Sequence, residues 1–280
     1  GDGTPIIRQQ AFQYIVMGEG GARLAGGSRG ALFARLADAF AEAAAYARNP
    51  AGYGYGRDRG SLLKKADAAA LAKVISGEVP AVVSVNRASD IVNVLALRKT
   101  YPRPRLILAG AAEGWTVADK IAAAGVPVLA SVAPNLPESF EVLAATQSNV
   151  GRLIRAGVKV AIVPIGRDLN HQVRLIPQQA GNLVAQGKIP GGVQVSHAEA
   201  LAALTRNPAE IFGLGGELGT LEPGKRADVV VWSGDPIELA SAPTALFIDG
   251  RATPLESRQT KLRDRYNPLK QDTLPKQYRR

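Results

Sequence analysis

Between Val79 and Gln186 the chain repeats one unit: a short, nearly continuous apolar run, then an amphipathic stretch. Val79–Val85 (VPAVVSV) precedes Ala88–Lys99, and Arg105–Leu108 (RLIL) precedes Trp115–Ala124. Val126–Val132 (VPVLASV) precedes Asn149–Ala156, and Val158–Val163 (VKVAIV) precedes Val173–Gln186. Apolar side chains on both faces of a strand mark a parallel sheet covered on both sides. Strands alternating with helices of this length point to an α/β architecture. An earlier run, Phe12–Met17 (FQYIVM), reads as a further strand, and Gly18–Gly27 as a loop. Leu32, Phe33, Leu36, Phe40 and Ala44 have helical spacing, so Arg29–Ala47 reads as a helix capped by Ser28. Asn49–Gly60, rich in Gly, Pro and Tyr, reads as a loop, and Asp67–Ser76 as the next helix.

After His197–Leu204, another helix, and the short helix Ala209–Phe212, the character changes to β. Gly219–Leu221, Ala227–Trp232 and Ala245–Asp249 read as strands. Glu222-Pro223-Gly224-Lys225 has the Pro-then-Gly order of a type II turn, and Asp249 fits a turn between strands. The expected organisation is a barrel-like domain over residues 1–213, β-strands over 214–257 and a basic tail over 258–280.

Composition excludes several function classes. There are no cysteines, which rules out disulfides, thiolate metal sites and a Cys nucleophile, and is compatible with an exported or periplasmic protein. No run approaches the roughly 18 apolar residues of a membrane span. GDGTPIIRQQ lacks the basic start and apolar core of a signal peptide. The net charge is +10, of which the tail from Arg258 supplies +6, eight Lys or Arg against Asp264 and Asp272. No basic motif interleaved with aromatics accompanies it, so nucleic acid is not an expected partner. No G-x-G-x-x-G follows a strand, and neither a Walker motif nor G-x-S-x-G is present.

The segment Asn207–Arg251 reads NPAEIFGLGGELGTLEPGKRADVVVWSGDPIELASAPTALFIDGR. Its NPA helix end, G-x-L-x-P-G-K-x-A-D, VVVW strand and FIDGR strand resemble the closing segment of the amidohydrolase superfamily, in its imidazolonepropionase-like branch. The resemblance implies a (β/α)8 TIM barrel with a small composite β-sandwich, hydrolysing a carbon–nitrogen bond, non-peptide or dipeptide-like. A TIM barrel needs eight strands. If Val158–Val163 is the eighth, Phe12–Met17 is the fourth, and the chain holds the C-terminal part of the fold. An open sheet exposes edges and apolar faces. An absent N-terminal fragment, or a second subunit in an oligomer, is therefore expected to close it.

In that family the metal ligands stand at strand C-terminal ends, and a zinc-type ion activates water. The resemblance implies a histidine at the end of the fifth strand, where this chain has Asn86 followed by Arg87. An amide oxygen is a poor zinc ligand beside imidazole. After the sixth strand comes Ala109-Gly110-Ala111-Ala112-Glu113 without histidine, and Glu113 is a candidate ligand or base. It equally fits a first-turn position favourable to the following helix. Ile165 stands where the family has an Asp after the eighth strand, with Asp168 three residues on. Arg167, Asp168, Asn170 and His171 form the densest polar cluster at a strand end. Asp168 and His171 are the candidate acid–base pair, or a polar loop capping the next helix. Asn86, Arg87 and Arg167 are candidate substrate-binding residues. His197, after Ser196, reads as a surface or capping residue. No metal site and no cofactor are predicted from these residues; zinc is expected only if an N-terminal half supplies ligands. A catalytically inactive relative, serving as a binding or assembly subunit, is the alternative reading.

Overall fold

A computed structural model describes residues 9–53, 60–164 and 173–266. Five parallel strands form the first sheet: β1 Gln13–Val16, β2 Ala81–Val85, β3 Leu106–Gly110, β4 Val128–Ala130 and β5 Val160–Ile162. Their spatial order is β1-β2-β3-β4-β5, the order of the sequence. Parallel connections are right-handed in nearly every protein. With each strand beside its predecessor, every crossover turns the same way and the helices gather on one face. This is the winding of a TIM barrel. A doubly wound sheet would reverse direction at a switch point.

The register fixes which residues look the other way. Tyr14 pairs with Val82 and Val82 with Ile107, while Val16 pairs with Ser84, Ser84 with Ala109 and Ala109 with Leu129. Leu129 pairs with Ala161. On this face Val82, Ile107, Ala109, Leu129 and Ala161 make one buried cluster with Ile211, joined by Val163 and Phe212. At β1 the cover fails: Phe12, Tyr14 and Val16 are 44%, 57% and 41% exposed. The open edge of the sheet is thus also its apolar edge.

The helices are α1 Gly18–Leu24, α2 Arg29–Arg48, α3 Lys65–Ser76, α4 Ala88–Thr100, α5 Ala118–Ala123, α6 Asn149–Arg155, α7 Ile176–Gln186, α8 His197–Leu204, α9 Arg206–Ile211 and α10 Arg258–Tyr266. Ser28 caps α2 as expected, its Oγ accepting from Ala31 N at 3.1 Å. Ser196 and Glu199 form a capping box at α8, with His197 exposed in its first turn. The segment expected as a loop, Gly18–Gly27, instead contains α1. Its three glycines oppose a helix by propensity, so tertiary packing decides. Gly18, Gly21 and Ala22 are buried, and a Cβ on Gly21 would lie 2.1 Å from the carbonyl oxygen of Val16. Glycine lets α1 fold back against the end of β1. Trp115–Ala124 divides into a 3-10 turn, Gly114–Val117, and α5. In α9 Asn207 Nδ2 donates to the carbonyl of Val160 at 2.8 Å, so the NPA motif ties this helix to β5.

The compact units are 1–220 and 221–280. In the second, β6 Val229–Trp232, β7 Pro243–Ile248 and β8 Arg251–Ala252 form an antiparallel sheet in that order. Gly219–Leu221, expected as a strand, is not one. Lys225 N donates to Glu222 O at 3.3 Å, and Gly224 has φ +87°, as a type II turn requires. Asp249 and Gly250, at φ +51° and +71°, make the two-residue turn from β7 to β8. Asp228 Oδ1 accepts the N–H of Asp249 at 2.9 Å. A hydrogen bond from Arg226 to Oδ2, with that N–H, holds the Asp228 carboxyl below its usual range. The A-D and D-G signatures are therefore two halves of one turn.

Candidate functional site at the strand ends

Barrel active sites lie at the C-terminal ends of the strands. At the end of β3 the chain takes a strained course: Gly110 and Ala111 have φ +96° and +46°. Ala111 is fully buried there, and left-handed backbone at a non-glycine residue stores energy. The turn brings Ala111 N to the carbonyl of Val85 at 2.7 Å and Glu113 N to that of Asn86 at 3.0 Å. A Cβ on Gly110 would lie 2.4 Å from Asn86 Oδ1, so only glycine admits that amide. Asn86 Oδ1 also accepts from Ala112 N at 3.4 Å.

Glu113 is buried. Its Oε2 accepts the N–H of Ala88 at 3.0 Å and its Oε1 that of Ala144 at 3.1 Å. Ala88 opens α4, so the carboxylate serves the free donors of the preceding helix, not the one after it. Asn149 continues the network, Nδ2 donating to Ala111 O at 3.0 Å and Oδ1 accepting from Trp115 N at 3.0 Å. Trp115 Nε1 donates to Ala144 O at 2.7 Å, and Arg152 stacks over its ring at 4.2 Å.

A second polar cluster stands beside the end of β1. Asp90 on α4 is nearly inaccessible, and Arg29 Nε lies 3.1 Å from its Oδ2. The pair is ionic; the alignment gives no hydrogen bond, and Nε is buried without an acceptor among the described residues. Burial pushes the Asp90 carboxyl up against the pull of Arg29 and Arg87. Arg29 also reaches Glu141 at 3.2 Å, and Glu141 Oε1 accepts the N–H of Glu19. Gly18, at φ +71°, has no side chain to obstruct that carboxylate.

Sequence reasoning singled out Asn86, Arg87 and Glu113, which the fold brings together at the ends of β2 and β3. Arg87 immediately precedes α4. Arg167, Asp168 and His171 lie outside the described residues. Among the described residues no group of three His, Cys, Asp or Glu is placed to hold a metal ion. The donors at the ends of β2 and β3 do not fit one, since Glu113 and the Asn86 amide oxygen already accept backbone N–H groups. Asp90, Glu141 and Asn149 were missed, because their roles depend on contacts between residues at least 38 apart, as with Asn149 and Ala111.

Residues 64–255 match the family model described as "Amidohydrolase family". An amidohydrolase from Thermotoga maritima superposes on 89% of this chain and 64% of its own, with a TM-score of 0.74 and 23% identity. An imidazolonepropionase of Aromatoleum aromaticum is 40% identical over 111 residues, 39% of this chain and 26% of that protein. A 5-methylthioadenosine/S-adenosylhomocysteine deaminase of Moorella thermoacetica is 35% identical over 96 residues, 34% of this chain and 22% of that protein. The chain thus spans less than two thirds of the length of each.

Proposed function

The chain belongs to the amidohydrolase family, and on that premise we propose that it forms the C-terminal strands of a barrel that hydrolyses carbon–nitrogen bonds in small amides. The observation that carries this reading is the singly wound sheet, its lumen-side cluster filled and its β1 edge left apolar and open. An apolar edge of this kind pairs with further strands. A preceding segment of the protein, or a second subunit, supplies them and completes the site. The printed activities of the imidazolonepropionase and the deaminase support a substrate that is a small amide or amidine-like compound. Any metal takes its ligands from residues other than Asn86 and Glu113.

A second reading, a non-catalytic relative kept for binding or assembly, is favoured by one observation. The polar groups at the ends of β2 and β3 are committed to backbone donors. Metal analysis of the purified protein, with a panel of cyclic amides, N-acyl amino acids and dipeptides, separates the two. Stoichiometric metal, with turnover lost on chelation, is the result expected of the hydrolase. A metal-free protein inert on the whole panel leaves the binding role. Native mass tests closure: a stably folded monomer of 29.3 kDa refutes the need for a partner.

A further inference from the structure

Where α7 passes the end of β4, two glutamines grip the backbone of a single residue. Gln179 Oε1 accepts from Val132 N at 3.4 Å and from Ser131 Oγ at 3.4 Å. Gln186 Nε2 donates to Val132 O at 3.5 Å. The two side chains are seven positions apart, two helical turns, and so share a face of α7. They serve the N–H and C=O that a neighbouring strand would serve. That task splits their polarity. Gln179 is committed through its oxygen, which leaves its amide donors. Gln186 is committed through its nitrogen, which leaves Oε1, a buried acceptor with no donor among the described residues.

A cavity of about 440 Å³ opens beside this pair. Gln147 and Asn182 add two more carboxamides to its wall, and Val132 and Ile189 supply apolar surface. No charged side chain is among the lining residues. An ionised ligand would therefore lose water without gaining a counter-charge. An uncharged molecule with a donor and an acceptor side by side meets both halves of the glutamine pair. We propose that this cavity binds a small uncharged molecule through an amide edge, N–H beside C=O, as in a lactam, a cyclic imide or a nucleobase. It shares no residue with the lumen cluster or with the Asn86–Glu113 network, so the inference does not rest on the hydrolase reading.

Uracil tests it, with 1,3-dimethyluracil as the control that keeps the ring and carbonyls but has no N–H. Titration calorimetry or NMR on the full chain should show saturable uracil binding. A site built on hydrogen bonds rejects an analogue lacking its donor, so the dimethyl compound should bind at least about tenfold more weakly. Gln179→Leu should cost a similar factor. Asn182→Ala, at an exposed position, should weaken binding without touching the fold. If Gln179→Leu fails to fold, Asn182→Ala and the dimethyl control decide alone. The proposal is overturned by absence of saturable uracil binding up to about 10 mM, by equal binding of the two compounds, or by Asn182→Ala binding like the native chain.

Discussion

Replacing Glu113 by Gln separates a chemical role from a structural one. In the folded chain its two oxygens receive the N–H groups of Ala88 and Ala144 at 3.0 and 3.1 Å, in a buried setting. Gln keeps one acceptor and turns an NH2 against the other N–H. A buried donor left without an acceptor costs about 1–3 kcal/mol. For a unit of roughly 200 residues each kcal/mol lowers the melting temperature by about 2–4 °C. Glu113→Gln should therefore melt about 2–12 °C below the native chain by this conversion, and Glu113→Ala lower still. The assay is thermal unfolding followed by circular dichroism. Hydrogen exchange adds a local readout, since the amides of Ala88 and Ala144 should lose protection ahead of the strand amides. A variant that melts within about 1 °C of the native chain, yet loses turnover in an active preparation, would refute the clamp and make the carboxylate chemical.

Glu42 accepts from Leu62 N, Leu63 N and Tyr53 Oη at 2.7–2.9 Å. Burial pushes its carboxyl up, but these bonds outweigh it and the pKa falls below the ordinary 4.5. Its stabilisation is present above that value and lost as pH falls through the depressed one. Glu42→Gln should be less stable at neutral pH and flatter in acid, as urea unfolding against pH would show; an unchanged acid slope contradicts this. Gly18→Ala puts a Cβ 2.0 Å from Glu141 Oε1 at a left-handed position, which costs about 1–3 kcal/mol in strain alone. It should speed hydrogen exchange across residues 133–148, and unaltered exchange there disproves the contact. Tyr14→Arg places a charge on the open β1 edge; native mass spectrometry should show the loss of any associated copy or segment, whereas an unaltered assembly means this edge is not the contact.

The sheet was legible because its strands carry the signal locally. Residues such as Val82, Val83 and Ile107 are apolar whichever face they take, so runs of them mark buried strands without reference to distant parts. The α2 cap, the type II turn at Gly224 and the Asp249 turn were legible for the same reason, since each is set by adjacent residues. Helix α1 was not, because three glycines conceal a helix fixed by the approach of Gly21 to Val16. At the strand ends the sequence offered Glu113 as a titratable residue after a strand. That spacing carries no information on its partners, one of which is 31 positions away. Asn86 is similar: its type argues against a metal, while the close approach of Gly110 that holds it is tertiary.

The segment between β4 and α6 sharpens where chemistry can reside. It leaves the end of β4, reaches Glu19 and Arg29 beside β1 through Glu141, and returns through Ala144 to Glu113 and Trp115 after β3. The ends of β1, β2 and β3 thus spend their polar groups on holding this segment, and β4 ends in Ser131 and Val132, tied to Gln179. By elimination among these ends, titratable groups free for catalysis from this chain belong after β5, where Asp168 and His171 lie in the sequence. A general acid–base residue contributes about 10²–10⁴ in rate. In an active preparation His171→Ala should therefore lower kcat by at least about a hundredfold, with the melting temperature unchanged and the loss greatest on the acid side of the native pH profile. Full turnover in that variant removes His171 from the mechanism and leaves the chain without an acid–base histidine at any strand end, since His197 stands at the start of α8.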